Sequence, residues 1–370
     1  MGQLGSRTLP SGRGVSWNQS KSAVLCSGTG GRGIMAAIAV CVPVRDEAAL
    51  LPGLLDAMAG QGCDFTLCLL FDGCVDASSG LVAERAAGLP FAVRSGCLAR
   101  DEPNAGRARR AAMALGEAVG AAVLLTTDAD SRPGPAWIAA NIRALAYADL
   151  VAGRIVRAGD PENIGVPLQD RVEGYYDRLF ALRRRIDPVP WEADVTHHYA
   201  SGASLGFRAE AYQALGGFEE VAAGEDGRII DEAHRAGLRV RRDAGVVVET
   251  SARRRGRATG GLADHLRALD AGLGGPTMAH PADAAWRWRA QAAARAAFGG
   301  DVAALAAMIG RDAGDVGRVA ATAVNAEAFA TRVVPEIPGG ERLVGLDVAD
   351  AALAMLENGF LTGPCERAAA

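Results

Sequence analysis

Continuous apolar runs alternate with stretches of helical spacing through the first third of the chain. The run 36–44 reads as a buried strand and stops at Arg45-Asp46-Glu47. Residues 48–58 place Leu50, Leu51, Leu54, Leu55 and Met58 on one side of a helix. A second buried strand over 65–71 stops at Asp72-Gly73-Cys74-Val75-Asp76, a turn that feeds a helix over about 77–87. A short strand over 91–94 and an Ala-rich helix over 104–119, carrying Arg107, Arg109 and Arg110, come next. The run 121–125 is a further strand; it ends in Thr126-Thr127-Asp128-Ala129-Asp130, and Pro133-Gly134-Pro135 opens the following helix. Strand and helix alternating with short links predict an α/β fold, a mostly parallel sheet with helices on both faces.

The pattern then loosens. Residues 150–156 read as a strand, 169–185 as a helix, 200–208 as a strand of small residues and 210–215 as a helix ended by Gly216-Gly217-Phe218. Glu225-Asp226 opens a helix to about 236, and 239–242 with 246–248 read as an edge hairpin. Residues 258–370 are Ala-rich and mostly helical, a C-terminal α-helical extension with turns at 274–276 and 339–340. Residues 1–34 are Gly- and Ser-rich without a period and read as a disordered leader; Met35, directly before the first strand, is a candidate start. The chain therefore divides into 1–34, a domain over 35–257 and a helical region over 258–370.

Ligands of an open α/β sheet bind at the carboxyl ends of its strands. Four such ends bear polar groups here: Asp46 and Glu47, Asp72, the residues before Asn104, and Asp128 with Asp130. Two carboxylates one residue apart suit a hard divalent cation, which keeps waters and also binds phosphate oxygens. Asp-Ala-Asp before a proline turn is also ordinary turn chemistry, so the convergence of several strand ends is the argument.

Composition narrows the choice. With 370 residues, 49% of them hydrophobic, the chain can bury a large core. A net charge of −4 argues against nucleic acid as a partner. Lys21 is the sole lysine, so arginine number carries little functional weight. Seven cysteines, an odd number with no Cys-x-x-Cys pair, point to a reducing, cytoplasmic location and away from a zinc site or a disulfide framework. The longest uncharged apolar run, 34–44, is too short to cross a bilayer. Met1-Gly2-Gln3-Leu4-Gly5-Ser6 fits a myristoylation pattern, a weak signal on its own.

Five segments in order resemble the family 2 glycosyltransferases, whose fold is the Rossmann-like GT-A type. Pro43-Val44-Arg45-Asp46-Glu47 resembles the family's Pro-x-x-Asn-Glu, with Asp46 in the asparagine place. Asp72-Gly73-Cys74-Val75-Asp76 resembles its Asp-Gly-Ser-x-Asp turn, with Phe71 where a further aspartate is usual. Asn104-Ala105-Gly106-Arg107 is similar to its Asn-x-Gly segment, though the arginine register differs. Asp128-Ala129-Asp130 matches the DxD motif, and Gly216-Gly217-Phe218 followed by Glu225-Asp226 resembles its Gly-Gly-Phe…Glu-Asp segment. The resemblance spans about residues 36–257.

It implies transfer of one sugar, with inversion, from a nucleotide-diphosphate sugar to the hydroxyl of a small or lipid-linked acceptor. Asp72 would contact the base beside the backbone of Pro43 and Val44; Glu47, Gly106 and Arg107 would belong to the same donor site. Asp128 would face the ribose or sugar and share the metal, and Asp130 would be the principal ligand of Mg²⁺ or Mn²⁺. Asp226 would be the general base, with Glu225 its competitor. A helix N-terminus favours negative charge there by roughly 0.3–1 kcal/mol.

The family's late histidine ligand has no match after Val248, leaving water or His265 for that position, and the Gln-x-x-Arg-Trp of processive synthases is absent. His197-His198 precedes the presumed acceptor strand; on a strand at most one of the two points into a site. Arg253-Arg254-Arg255-Gly256-Arg257 reads as a solvated run, a closure over the diphosphate, or a peripheral contact with anionic lipid. One arginine of the Arg107, Arg109 and Arg110 group is expected to reach phosphate and the others water. Two alternatives stand beside the transferase: a non-catalytic nucleotide-sugar binding protein, and a nucleotidyltransferase, which prefers a Gly-rich, Lys-bearing loop after the first strand. Oligomeric state stays open.

Overall fold

The computed structural model describes residues 37–158, 166–253, 267, 276–334, 337 and 339–362. The leader, Met35, Cys26, Cys365, the residues 254–257, His265 and the turn at 274–275 lie outside them.

The elements run β1 (Ile38–Val44), α1 (Leu51–Ala59), β2 (Thr66–Asp72), α2 (Ser78–Arg85), β3 (Ala92–Leu98), α3 (Ala105–Ala118), β4 (Val123–Thr126) and β5 (Ser131–Pro133). They continue with α4 (Trp137–Leu145), β6 (Leu150–Arg157), α5 (Val166–Ile186), β7 (Leu205–Arg208), α6 (Ala209–Ala214), α7 (Glu225–Arg235) and β8 (Val240–Thr250). The eight strands form one sheet in the order β3-β2-β1-β4-β7-β6-β8-β5. β1, β2, β3 and β4 pair in parallel, as do β6 and β8; β7 runs against β4 and β6, and β5 against β8. The fold is thus α/β with a mostly parallel sheet.

Both faces of the sheet are apolar because successive side chains of a strand point opposite ways. Ile38, Val40, Val42 and Val44 of β1 join Leu67, Leu69 and Phe71 of β2 under α1 and α4, where Leu51, Leu54, Leu55, Trp137 and Ile138 are buried. Ala39 and Cys41, with Cys68 and Leu70, face the other way onto Met113 of α3, Tyr212 of α6 and Ile229 of α7. The alternation places helices on both faces, as the sequence predicts.

Three local expectations differ. The segment 239–248 is one strand, not a hairpin, and β5 lies outside it at the edge. Asp243-Ala244-Gly245 has turn chemistry, but here it makes a bulge: the register with β6 jumps between Gly153 and Arg154, Asp243 accepts from the Gly245 N–H, and the Ala244 N–H donates to Val195. Only 205–208 of the small-residue run is strand; Gly202–Ser204 before it is a 3-10 turn, pinned by the Trp137 indole N–H on Ser204 Oγ at 3.0 Å. The strand β5, three residues long, has no apolar run to announce it.

After residue 276, helices Pro281–Ala297, Ala303–Ile309, Ala313–Thr322 and Ala326–Val333 enclose a small core of their own. The helix Leu346–Thr362 and a two-stranded ribbon, Thr277–Ala279 with Leu343–Gly345, pack instead with Tyr175, Leu179 and Leu182 of α5. Among the described residues no helix is long and apolar enough to cross a membrane.

Candidate donor site

The ends of β1, β2 and β4 open onto one cavity of about 620 Å³, together with the starts of α3 and α7 and the end of β8. Pro43, Val44, Glu47, Asp72, Asp128, Asp130, Glu225 and Asp226 all line it. Gly106 and Arg107 do not.

At the end of β1 the chain turns sharply. Asp46 has φ +54°, a left-handed conformation that aspartate and asparagine tolerate better than most residues. Its carboxylate accepts from the Val75 N–H at 2.7 Å and from Arg100 at 2.9 Å, which lowers its pKa below the usual carboxylate range. Asp72, 2% exposed at the end of β2, accepts from Arg45 Nη1 at 2.7 Å through Oδ2. Its other oxygen is buried without a hydrogen bond, and the nearest cation, Arg107 Nη2, stands 3.7 Å away. Buried polar groups are normally satisfied; here two buried atoms without a hydrogen bond, Asp72 Oδ1 and Arg107 Nη2, face each other as an ion pair, and Asp72 borders the cavity.

The N-cap of α3 is Asn104, whose side chain accepts from the Arg107 N–H at 2.8 Å. Gly106 permits close packing rather than ligand contact: a Cβ there would lie 1.9 Å from the Glu219 carbonyl oxygen. Arg107 reaches Asp101 at 2.9 Å beside Asp72.

Arg109 is the member of that helix that matters most to the cavity, and sequence reasoning did not single it out. It is 6% exposed and donates to Glu225 at 3.0 Å, Thr126 at 3.0 Å, the Gly202 carbonyl at 3.0 Å and Asp128 at 2.8 Å. Burial works against its charge, but Asp128 and Glu225 outweigh burial and raise its basicity. A Cβ on Gly202 would come within 2.3 Å of the guanidinium and would push Arg109 off its partners. A signal did exist: Arg109, Met113 and Gly116 share one helical face, the buried one.

Asp128 and Asp130 project from the end of β4. Burial, helped by Asp128 and Glu47, pushes the Asp130 carboxyl up to about 7 although Arg253 opposes this. Arg253 Nη2 lies 3.0 Å from Asp130 Oδ2, and the same guanidinium grips both oxygens of Glu47. Arg253, the first residue of the 253–257 run, stands on the cavity wall, against the wholly solvated one of the three readings of that run.

Hard carboxylate oxygens at Asp128 and Asp130, one of them with its charge incompletely balanced, fit a divalent cation. The tighter cluster of Asp46, Cys74 and Asp76 stands apart from the cavity lining, and its atoms are engaged by the backbone of Val75, Ala48, Ser78 and Val44.

At the start of α7, Glu225 is buried on Arg109, while half-buried Asp226 accepts from the Gly202 N–H at 3.0 Å and the Gly227 N–H at 2.8 Å. The histidine pair lies in a loop ahead of Gly202–Ser204, and neither ring lines the cavity. His197 is fixed between the Ala152 carbonyl and the Tyr199 N–H, and burial lowers it to about 3; His198 stacks on Tyr176 and burial lowers it to about 4. Tyr199, beside them, does reach the wall.

No protein-family model matches the chain, and no curated protein matches it in sequence. Among solved structures it is similar to S. aureus TarS 1-349 in complex with UDP-GlcNAc, at 14% identity and TM-score 0.47, over 90% of this chain and 93% of that one. It is similar to the mannosyltransferase PcManGT from Pyrobaculum calidifontis in complex with GDP-Man and Mn²⁺, at 17% identity and TM-score 0.46, over 89% and 76%. A third is GalNAc-T7 with UDP, GalNAc and Mn²⁺, at 13% identity and TM-score 0.42, over 58% and 43%.

Proposed function

We propose that the protein is a metal-dependent, inverting glycosyltransferase of the family 2 type, moving one sugar from a nucleotide-diphosphate donor to a hydroxyl acceptor. The observation that carries this reading is the meeting of Asp72, Asp128, Asp130 and Asp226, residues far apart in the chain, around one cavity.

Asp72 accepts a base N–H, with the backbone of Pro43 and Val44 alongside. Asp130, with Asp128, holds Mg²⁺ or Mn²⁺. Such a cation supplies Lewis-acid stabilisation of the charge on a departing diphosphate. Asp226 takes the acceptor proton; its carboxylate is steadied by the Gly202 and Gly227 N–H groups and the start of α7. Glu225, committed to Arg109, positions that arginine and leaves the base role to Asp226. Gly106 and Arg107 shape the donor site from behind, through the 219–221 segment and Asp101. The free state of the five described cysteines supports a reducing, cytoplasmic location.

The test is donor turnover, measured over a panel of nucleotide sugars with Mn²⁺ and with chelator, for wild type and Asp226→Asn. Metal-dependent turnover that collapses in the variant is expected. Tight donor binding with no turnover under any acceptor would favour the non-catalytic binder instead.

A further inference from the structure

Both carboxylates at the end of β4 face a guanidinium, but the two guanidiniums are held differently. Arg109 is built into α3, and its nitrogens are shared among Glu225, Thr126, the Gly202 carbonyl and Asp128. Arg253 follows β8, and its guanidinium bridges Glu47 and Asp130 on the cavity wall. One Asp130 oxygen lies 3.0 Å from it. A cation bound to Asp130 would meet that positive charge at contact distance.

We infer that Arg253 and a divalent cation compete for Asp130. Arg253 holds the site in the donor-free protein, and the metal enters together with a nucleotide diphosphate rather than alone. The competition follows from charge and space: two cations cannot share one carboxylate oxygen without strong repulsion. The partner that relieves it is a diphosphate, because the planar arginine fork pairs with phosphate oxygens as readily as with carboxylates. Arg253 and Asp72 border the same cavity, so a nucleotide that engages Asp72 brings its phosphates into the hollow where this guanidinium stands. The inference rests on the donor-site reading above and adds to it an order of binding.

The test is a Mn²⁺ titration of the full chain, read by the electron paramagnetic resonance signal of free Mn²⁺, without nucleotide and with UDP or GDP. Wild type is expected to bind Mn²⁺ at least about tenfold more tightly when one of these nucleotides is present, within the usual range of coupling between sites. Arg253→Ala and Arg253→Gln are expected to bind Mn²⁺ alone about tenfold more tightly than wild type, with the nucleotide effect shrinking in proportion. Variants that bind Mn²⁺ alone no better than wild type overturn the competition. So does a wild type whose Mn²⁺ affinity ignores both nucleotides, which keeps the test decisive even if the variants fold poorly. Asp130→Asn separates the two claims: if it leaves Mn²⁺ binding intact, the metal assignment itself fails, whereas its loss beside unchanged Arg253 variants removes only the competition.

Discussion

Helix α7 carries a cluster of charges at each end. At its start, Glu225 joins Arg109 and Asp128 on the wall of the cavity, close to the Glu47–Arg253–Asp130 group. At its end, His234 meets Glu327, which also pairs with Arg295 at 2.6 Å, and Arg295 reaches Asp187 at 2.5 Å. The chemical types are nearly the same. In the second cluster both Glu327 oxygens are engaged; burial works against its charge, yet the hydrogen bonds from His234 and Arg295 bring it down to about 2. In the first, Asp130 is pushed up to about 7, and an oxygen of nearby Asp72 has no hydrogen bond. The closed cluster ties helices 281–297 and 326–333 to α5 and α7; the open one presents unfinished electrostatics to a hollow. What separates a staple from a site is the accounting of each oxygen, not the number of charged residues.

The largest effect that sharpens this contrast is on turnover. Asp226→Asn should lower donor-dependent turnover by about 10²–10⁴-fold, the usual contribution of a general base, while the melting temperature stays put. A stability loss of similar size without a rate defect in the folded fraction would place Asp226 among the staples. At the other end of α7, Arg295→Ala strips Asp187 and Glu327 of their shared cation. Breaking such a buried pair costs about 3–5 kcal/mol, to be read from urea unfolding, and nucleotide affinity of the folded protein should not change. Between the two, Gly106→Ala forces the 219–221 segment away from α3. Overpacking of this kind costs about 1–3 kcal/mol, measured the same way.

The smallest effect is on pH. His197 and His198 are held below the ordinary histidine value by burial, so the unfolded chain takes up protons below about pH 6.5 that the folded protein refuses. Their contribution is complete above that pH and is lost as pH falls toward 3–4. Stability should drop by about 1.5 kcal/mol between pH 7.5 and 6. His198→Phe, which keeps a ring against Tyr176, should flatten the slope.

The middle of the sheet was legible because β1, β2 and β4 are uninterrupted apolar runs, and Asp72, Asp128 and Asp130 were legible because each stands at or just past the end of such a run. Asp226 was legible differently, from the Gly-Gly-Phe…Glu-Asp resemblance and its place at a helix start, and none of the four needed knowledge of packing to be picked out. Arg109 and Arg253 needed it. Their role depends on which carboxylate a long side chain finds across the fold, and Arg253 also looked like the head of a solvated run. Gly106 was picked as a ligand contact, but its neighbour is a carbonyl more than a hundred residues later. The bulge in β8 was hidden because aspartate and glycine serve a bulge as well as a reversing turn. The histidine pair drew attention through residue type and its place before Ser201-Gly202, and its burial and hydrogen bonds account for it without a ligand.

The reversed course of β7 has a consequence for how the hollow is held. The rim receives the beginning of that strand among the ends of its neighbours, so the chain reaching it from α5 belongs to no parallel crossover. The pairing of β1, β2 and β4 with one another does not involve the segment 187–201, which is held instead from β6 and β8, by His197 on the Ala152 carbonyl and by the Ala244 N–H on the Val195 carbonyl. The wall of the hollow formed by Tyr199 and Ser201 thus takes its position from the antiparallel side of the sheet, and the wall bearing Asp72, Asp128 and Asp130 from the parallel side.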